Sequence, residues 1–120
     1  MDDSLLFQET DPRGYIIALS SDRYNRHIVG ESGHVNVKPE DIRGAIKHPN
    51  VIYQSSVYPS SDVYFAKSSP QNTNLYVKVA VAIYSETMQG DVMTAFLSNN
   101  ISGGIQLDGG LKYVDNDNKL

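Results

Sequence analysis

The chain has 120 residues, 40% of them hydrophobic, which suffices for one domain around one core and is too short for two. Fourteen acids against ten Lys and Arg give a net charge of −4, which argues against nonspecific duplex binding through a broad basic face but leaves room for a local cationic site. Absence of cysteine excludes disulfides and thiolate metal sites, and no apolar run approaches the roughly 18 residues of a membrane span. The start, Met1-Asp2-Asp3, is acidic where a signal peptide is basic, so a soluble cytoplasmic protein with no membrane association is expected.

In chain order, Leu5 to Glu9 and Tyr15 to Leu19 flank Asp11-Pro12-Arg13-Gly14, a turn sequence that predicts a β-hairpin. Ser20 and Ser21 offer N-caps to a short helix over Asp22 to Val29, with Tyr24, His27 and Ile28 on one face and Gly30 as its stop. Glu31 to Lys38 is a loop holding His34. Pro39-Glu40-Asp41 opens a second helix, where proline's missing donor is harmless and acids suit the dipole; Ile42, Ala45 and Ile46 are its apolar stripe and His48-Pro49 its end. Only strand signals follow. Val51 to Gln54 and Val63 to Lys67 are strands around a turn at Tyr58 to Ser61, and Ser68 to Asn74 is a polar loop.

Leu75 to Tyr84 organises the rest. Leu75, Val77, Val79, Val81 and Ile83 form one aliphatic face, while Tyr76, Lys78, Ala80, Ala82 and Tyr84 form a mixed one. That alternation, over about 30 Å at 3.4 Å per residue, predicts a central strand. Glu86 to Gly90 turns, and Asp91 to Phe96 pairs back beside it. From Leu97 the pattern fades into a polar, glycine-rich segment. The sequence therefore predicts an α+β domain over residues 1–113, its N-terminal hairpin and two short helices packed on a four-stranded antiparallel sheet, with a flexible tail over 114–120.

No phosphate-cradling loop, nucleophile elbow or HExxH is present, and the three histidines are 7 and 14 residues apart, so neither metal nor cofactor is expected. His27 sits beside Arg23 and Arg26, an electropositive point in an acidic chain. An imidazole can take and return a proton near neutrality, a lysine such as Lys67 or Lys78 can stabilise a phosphate, and a hydroxyl such as Thr94 can bond its oxygens. These groups suffice for metal-independent RNA cleavage by 2′-OH attack. Their structural readings stand beside this one: His27 as a cap against a helix dipole, the lysines as ordinary strand residues, Thr94 as cross-strand packing.

Several short series carry a resemblance. Asp11-Pro12-Arg13-Gly14, Asp22-Arg23-Tyr24-Asn25-Arg26-His27-Ile28, Pro39-Glu40-Asp41-Ile42, His48-Pro49-Asn50-Val51-Ile52-Tyr53, Val63-Tyr64-Phe65-Ala66-Lys67 and Val92-Met93-Thr94-Ala95-Phe96 resemble the phage-associated branch of the barnase, EndoU, colicin and RelE-like (BECR) nuclease superfamily. The resemblance implies a metal-independent endoribonuclease, a toxin or effector of phage or mobile-element origin. It implies RNA such as tRNA as substrate and an inhibitor or immunity protein as partner. It further implies His27 as general acid/base, Lys67 or Lys78 as the transition-state cation and Thr94 as a phosphate hydrogen-bonder. Tyr64 falls on the tyrosine of the family's middle strand, and Arg23, Arg26 and Ser102 are assigned to substrate binding. The alternatives are a catalytically inactive protein- or nucleotide-binding module of the same fold, or a phage structural component.

Overall fold

The computed structural model describes residues 4–28, 37–67, 75–98, 104 and 110–115, apart from the side chain of His27. Seven strands and two helices are found there: β1 (Leu5–Thr10), β2 (Ile16–Ser20), α1 (Ser21–Arg23) continuing as a π-helical turn (Tyr24–Ile28), α2 (Pro39–Lys47), β3 (Val51–Gln54), β4 (Ser61–Lys67), β5 (Tyr76–Tyr84), β6 (Gln89–Ser98) and β7 (Leu111–Val114). The predicted loop at Ser68 to Asn74, together with His34 and Ser102, lies outside the described residues. Local signals explain the element ends. Ser20 caps α1 by accepting from the Arg23 backbone N–H at 3.1 Å, and the Asp41 carboxylate accepts from the Lys38 N–H at the start of α2. Gly14 supplies the positive φ, +95°, that the β1–β2 turn needs.

The protein is α+β, but its sheet is larger than predicted and mixed: seven strands in the order β1-β2-β6-β5-β4-β3-β7. The expected four-stranded antiparallel meander, β3 to β6, is its centre. The hairpin does not pack on this sheet; it extends it, β2 lying parallel to the start of β6 through Ile16↔Gln89, Ile17↔Gly90 and Ala18↔Asp91. Gly90 permits that approach, because a Cβ there would meet the Ala82 carbonyl oxygen and Ile17 Cδ1 at 2.8 Å. At the opposite edge, β7 satisfies the outer side of β3, and its last residue, Val114, was expected in the flexible tail. Strand β5 is central, as predicted, with Val77, Val79 and Val81 buried. Each such aliphatic contributes about 1.5–3 kcal/mol relative to exposure.

One sheet face carries the helices. Ile42, Ala45 and Ile46 of α2 and Ile28 of the π turn join Ile17, Leu19, Val79, Val81, Val92 and Ala95 in the main core. The sheet curls around α2, which touches β1 on one side and β4 and β5 on the other. A polar clasp closes this curl at the hairpin tip. Arg13 donates to Asp11 at 3.0 Å, to Asp62 at 2.9 Å and to the Tyr64 hydroxyl at 3.0 Å, and Tyr64 donates to Asp11 at 2.5 Å. Burial alone would lower the guanidinium pKa, but Tyr64, Asp62 and Asp11 reverse this and raise it; burial, followed by Asp11, raises that of the phenol. Arg13 is thus held charged and Tyr64 neutral, so both serve as donors to carboxylates that would otherwise be buried unpaired.

Candidate functional site

Among the described residues the opposite face carries no helix, and Val51, Val63 and Phe65 are buried on it with Tyr53 packed against them. Cross-strand partners point the same way, so the register assigns its rows: Lys67 with Tyr76 and Ser98, Phe65 with Lys78 and Phe96, Val63 with Ala80 and Thr94, Ser61 with Ala82 and Asp91. Simple alternation along β6 would put Thr94 on the core side with Val92. A bulge between Ala80 and Val81 in the β5–β6 register intervenes, and Thr94 turns to the helix-free face beside Met93, whose sulfur accepts from Ser61 Oγ at 3.5 Å. Bulges commonly re-aim a side chain in this way next to functional sites.

Three of the residues predicted from sequence, Lys67, Lys78 and Thr94, therefore share one face. Lys78 is half-buried, its ammonium 5.0 Å from the Phe96 ring centre and 5.9 Å from that of Phe65. The two rings flank it on neighbouring strands, and burial lowers its pKa. Tyr53 meets Phe65 edge-on with ring centres 6.2 Å apart. Thr94 Oγ1 is buried and has no hydrogen-bond partner among the described residues. A buried hydroxyl without a partner costs stability, and such groups are rare enough to need a reason.

The remaining candidates are placed as follows. The π turn bearing His27 runs beside β6, the strand of Thr94, but packs from the helix-bearing side, where its Ile28 joins Val92 and Ala95 in the main core; the fold does not bring the turn onto the face of Thr94. Arg23 lines a depression at the other end of the same face, with Ser20 and Asp91. Arg26 is exposed and paired with Asp22 at 2.8 Å. Tyr64 stands apart, wholly buried on the helix side within the clasp. His48, which caps the end of α2, borders a depression of about 330 Å³ with Lys67, Glu40 and Asp41. Asn50 fixes this corner: buried, it accepts from the Lys67 N–H at 2.9 Å and donates its own N–H to Phe65 O at 2.7 Å.

Sequence reasoning did not single out Asp11, Arg13 and Asp62 as a unit, because 49 residues separate the two ends of the Arg13–Asp62 pair. It also passed over Asp91 and Tyr84, which adjoin on the helix-free face, the carboxylate raising the phenol's pKa. The only available signal was that both fall at same-face positions of their strands. Among the described residues, no group of three His, Asp or Glu could hold a metal ion, and no helix is long and apolar enough to cross a membrane. Comparison with protein-family models, with curated proteins and with solved structures returned no match.

Proposed function

We propose that the protein is a metal-independent endoribonuclease of the BECR kind, working on the helix-free face of its sheet. The observation that carries this reading is the Thr94 hydroxyl, buried and without a partner among the described residues, on the same face as Lys78 and Lys67. A phosphate oxygen would give that hydroxyl a partner that no described residue supplies, and the Lys78 ammonium one row along would offset the charge that grows on the phosphorane. Of the two rings around Lys78, Phe65 is wholly buried and the half-buried Phe96 offers a surface on which an unstacked base can lie.

His27 is the acid/base that the family resemblance supplies; its turn adjoins β6 from the core side, so the reading requires the imidazole to reach round that strand to the face of Thr94. The base removes the proton of a ribose 2′-OH, whose oxygen attacks the adjacent phosphorus. The bond to the 5′-oxygen breaks, that oxygen takes up a proton, and a 2′,3′-cyclic phosphate remains. Nothing in this sequence of bonds requires a metal, though a cation must meet the developing charge, which is the role of Lys78. Within this reading Tyr64 supports the scaffold through Asp11 and Arg13 and does not touch the substrate. Incubation of purified protein with cellular RNA in EDTA, followed by analysis of the new ends, tests it. Fragments ending in cyclic phosphate support the proposal; intact RNA from several sources, with folded protein, refutes it and leaves the same face as a binding module.

A further inference from the structure

The clasp at the hairpin tip buries more negative charge than it neutralises. Its two carboxylates are served unequally. Asp11 is saturated: it accepts from the backbone N–H groups of Arg13 and Tyr15 at 2.8 and 2.9 Å, from Arg13 Nε and Nη2 at 3.1 and 3.0 Å, and from the Tyr64 hydroxyl. Asp62 has a side chain only 8% exposed, yet its carboxylate accepts a single bond, from Arg13 Nη1 to Oδ2 at 2.9 Å. Among the described residues Oδ1 has no partner. It is not sealed in, since among those residues Thr94 Oγ1 alone is a fully enclosed side-chain atom without a partner. Asp62 lines a depression of about 270 Å³. Pro59 and Ser60 enter it from the β3–β4 turn, which is tied to the end of β5 by the Ile83 N–H donating to Ser60 O at 2.9 Å. Tyr15, Pro59 and Ile83 give it apolar walls, and Ser60 and Ser85 bring hydroxyls.

Arg13 and Lys112 line the same depression, so the sign of a ligand's charge follows from a count. Two carboxylates face one guanidinium, Tyr64 is neutral, and among the described residues no second cation pairs with either acid. One buried negative charge is left over, which is costly unless a cation joins it. Lys112 does not fill that role: it is exposed, forms no ion pair among the described residues, and water screens its charge. We infer that the depression is a binding site for a primary ammonium group on a short apolar stem, with Asp62 as its counter-ion. An ammonium carries three donors and no acceptor. Asp62 Oδ1 takes one, the hydroxyls of Ser60 and Ser85 are further acceptors, and the stem lies against Tyr15, Pro59 and Ile83. A carboxylate in the same place would set its charge against that of Asp62. The site lies on the Tyr64 side of β4, away from Thr94, and does not depend on the ribonuclease reading.

The test is titration of the intact protein with n-butylammonium chloride and with sodium butyrate at matched ionic strength, followed by amide chemical-shift mapping. Nα-acetyl-lysinamide, which presents the same ammonium as a polypeptide would, is titrated beside them. Saturable binding of butylammonium is expected, with shifts at Tyr15, Ser60, Asp62 and Ile83, and none with butyrate. Binding of the lysine derivative as well would assign the site to lysine side chains; its failure beside butylammonium would assign it to free amines. Asp62→Asn keeps the shape and removes the charge, so it should weaken ammonium binding about tenfold or more. Because that change also touches the clasp, Lys112→Met at an exposed position supplies a second reading. Removing a nearby like charge should tighten ammonium binding roughly two- to fivefold at low salt. Butyrate binding as tightly as butylammonium, no saturable shift with either ammonium compound, or shifts confined to other residues would overturn the inference. So would undiminished binding by folded Asp62→Asn, or binding unchanged or weakened in Lys112→Met.

Discussion

Replacing Thr94 by valine exchanges one hydroxyl for a methyl of the same shape and keeps the β-branched side chain that suits a strand. Burying a polar group without a partner costs about 1–3 kcal/mol, and among the described residues Thr94 Oγ1 is such a group. Thr94→Val should therefore stabilise the fold, by about 1–2 kcal/mol once imperfect packing of the new methyl is allowed for. A chain of this length gains roughly 4 °C in Tm per kcal/mol, so the shift should be about 4–8 °C upward. Urea denaturation by circular dichroism, with the slope m unchanged, is the assay. Thr94→Ser, which keeps the hydroxyl and loses the methyl, should show no such gain. A Thr94→Val protein destabilised by about 1 kcal/mol or more would mean that the hydroxyl has a partner after all, and its availability to a phosphate would fall with it. Gain of stability with loss of activity is the trade expected where a site is kept at the expense of the fold.

Three further predictions concern the scaffold. Arg13→Met leaves the carboxylates of Asp11 and Asp62 buried, with side-chain exposures of 0% and 8%, and should cost about 3–5 kcal/mol in urea unfolding. A loss below 1 kcal/mol would show that the clasp does not hold the hairpin tip to β4. Gly90→Ala places a Cβ 2.8 Å from the Ala82 carbonyl oxygen, which is backbone and cannot move aside, so a loss of about 1–3 kcal/mol is expected; a neutral result would count against the parallel β2–β6 pairing. Glu9 has its pKa lowered, chiefly by the hydrogen bond from Arg43, so its contribution is present above the ordinary 4.5 and is lost as pH falls through the lower folded value. Glu9→Gln should accordingly cost at most about 1 kcal/mol at pH 7, with mutant and wild type converging in acid; a gap that persisted in acid would assign the effect to packing.

Much of the architecture was legible because it is local. Alternation from Leu75 to Tyr84 marks the central strand, Ser20 and Pro39 mark both helix starts, and Asp11 to Gly14 marks the hairpin. The seven-stranded sheet was not legible, since its two added pairings join residues far apart in sequence, Ile17 with Gly90 and Val51 with Val114, and neither alters the pattern within its own strand. For Gly90 the one trace was a glycine at a strand start, which reads equally as a turn residue. The site divides in the same way. Strand parity already sets Lys67 and Lys78 apart from Tyr64 once the pairing of β4 and β5 is known. Thr94 needed the bulge, because uninterrupted alternation from Val92 would have turned it into the core. The neutral, donor state of Tyr64 depends on Asp11, 53 residues away, and no spacing rule reaches that far.

The most direct test is cleavage of total cellular RNA in EDTA by wild type beside Thr94→Val and His27→Ala, with folding of each verified. EDTA-resistant cutting that leaves cyclic phosphate ends is predicted. Thr94→Val, though the more stable protein, should lose about tenfold or more, and His27→Ala about a hundredfold or more. Cutting undiminished by both substitutions, or none by folded wild type on RNA from several sources, would contradict the assignment of this sheet face as an RNA-cleaving site.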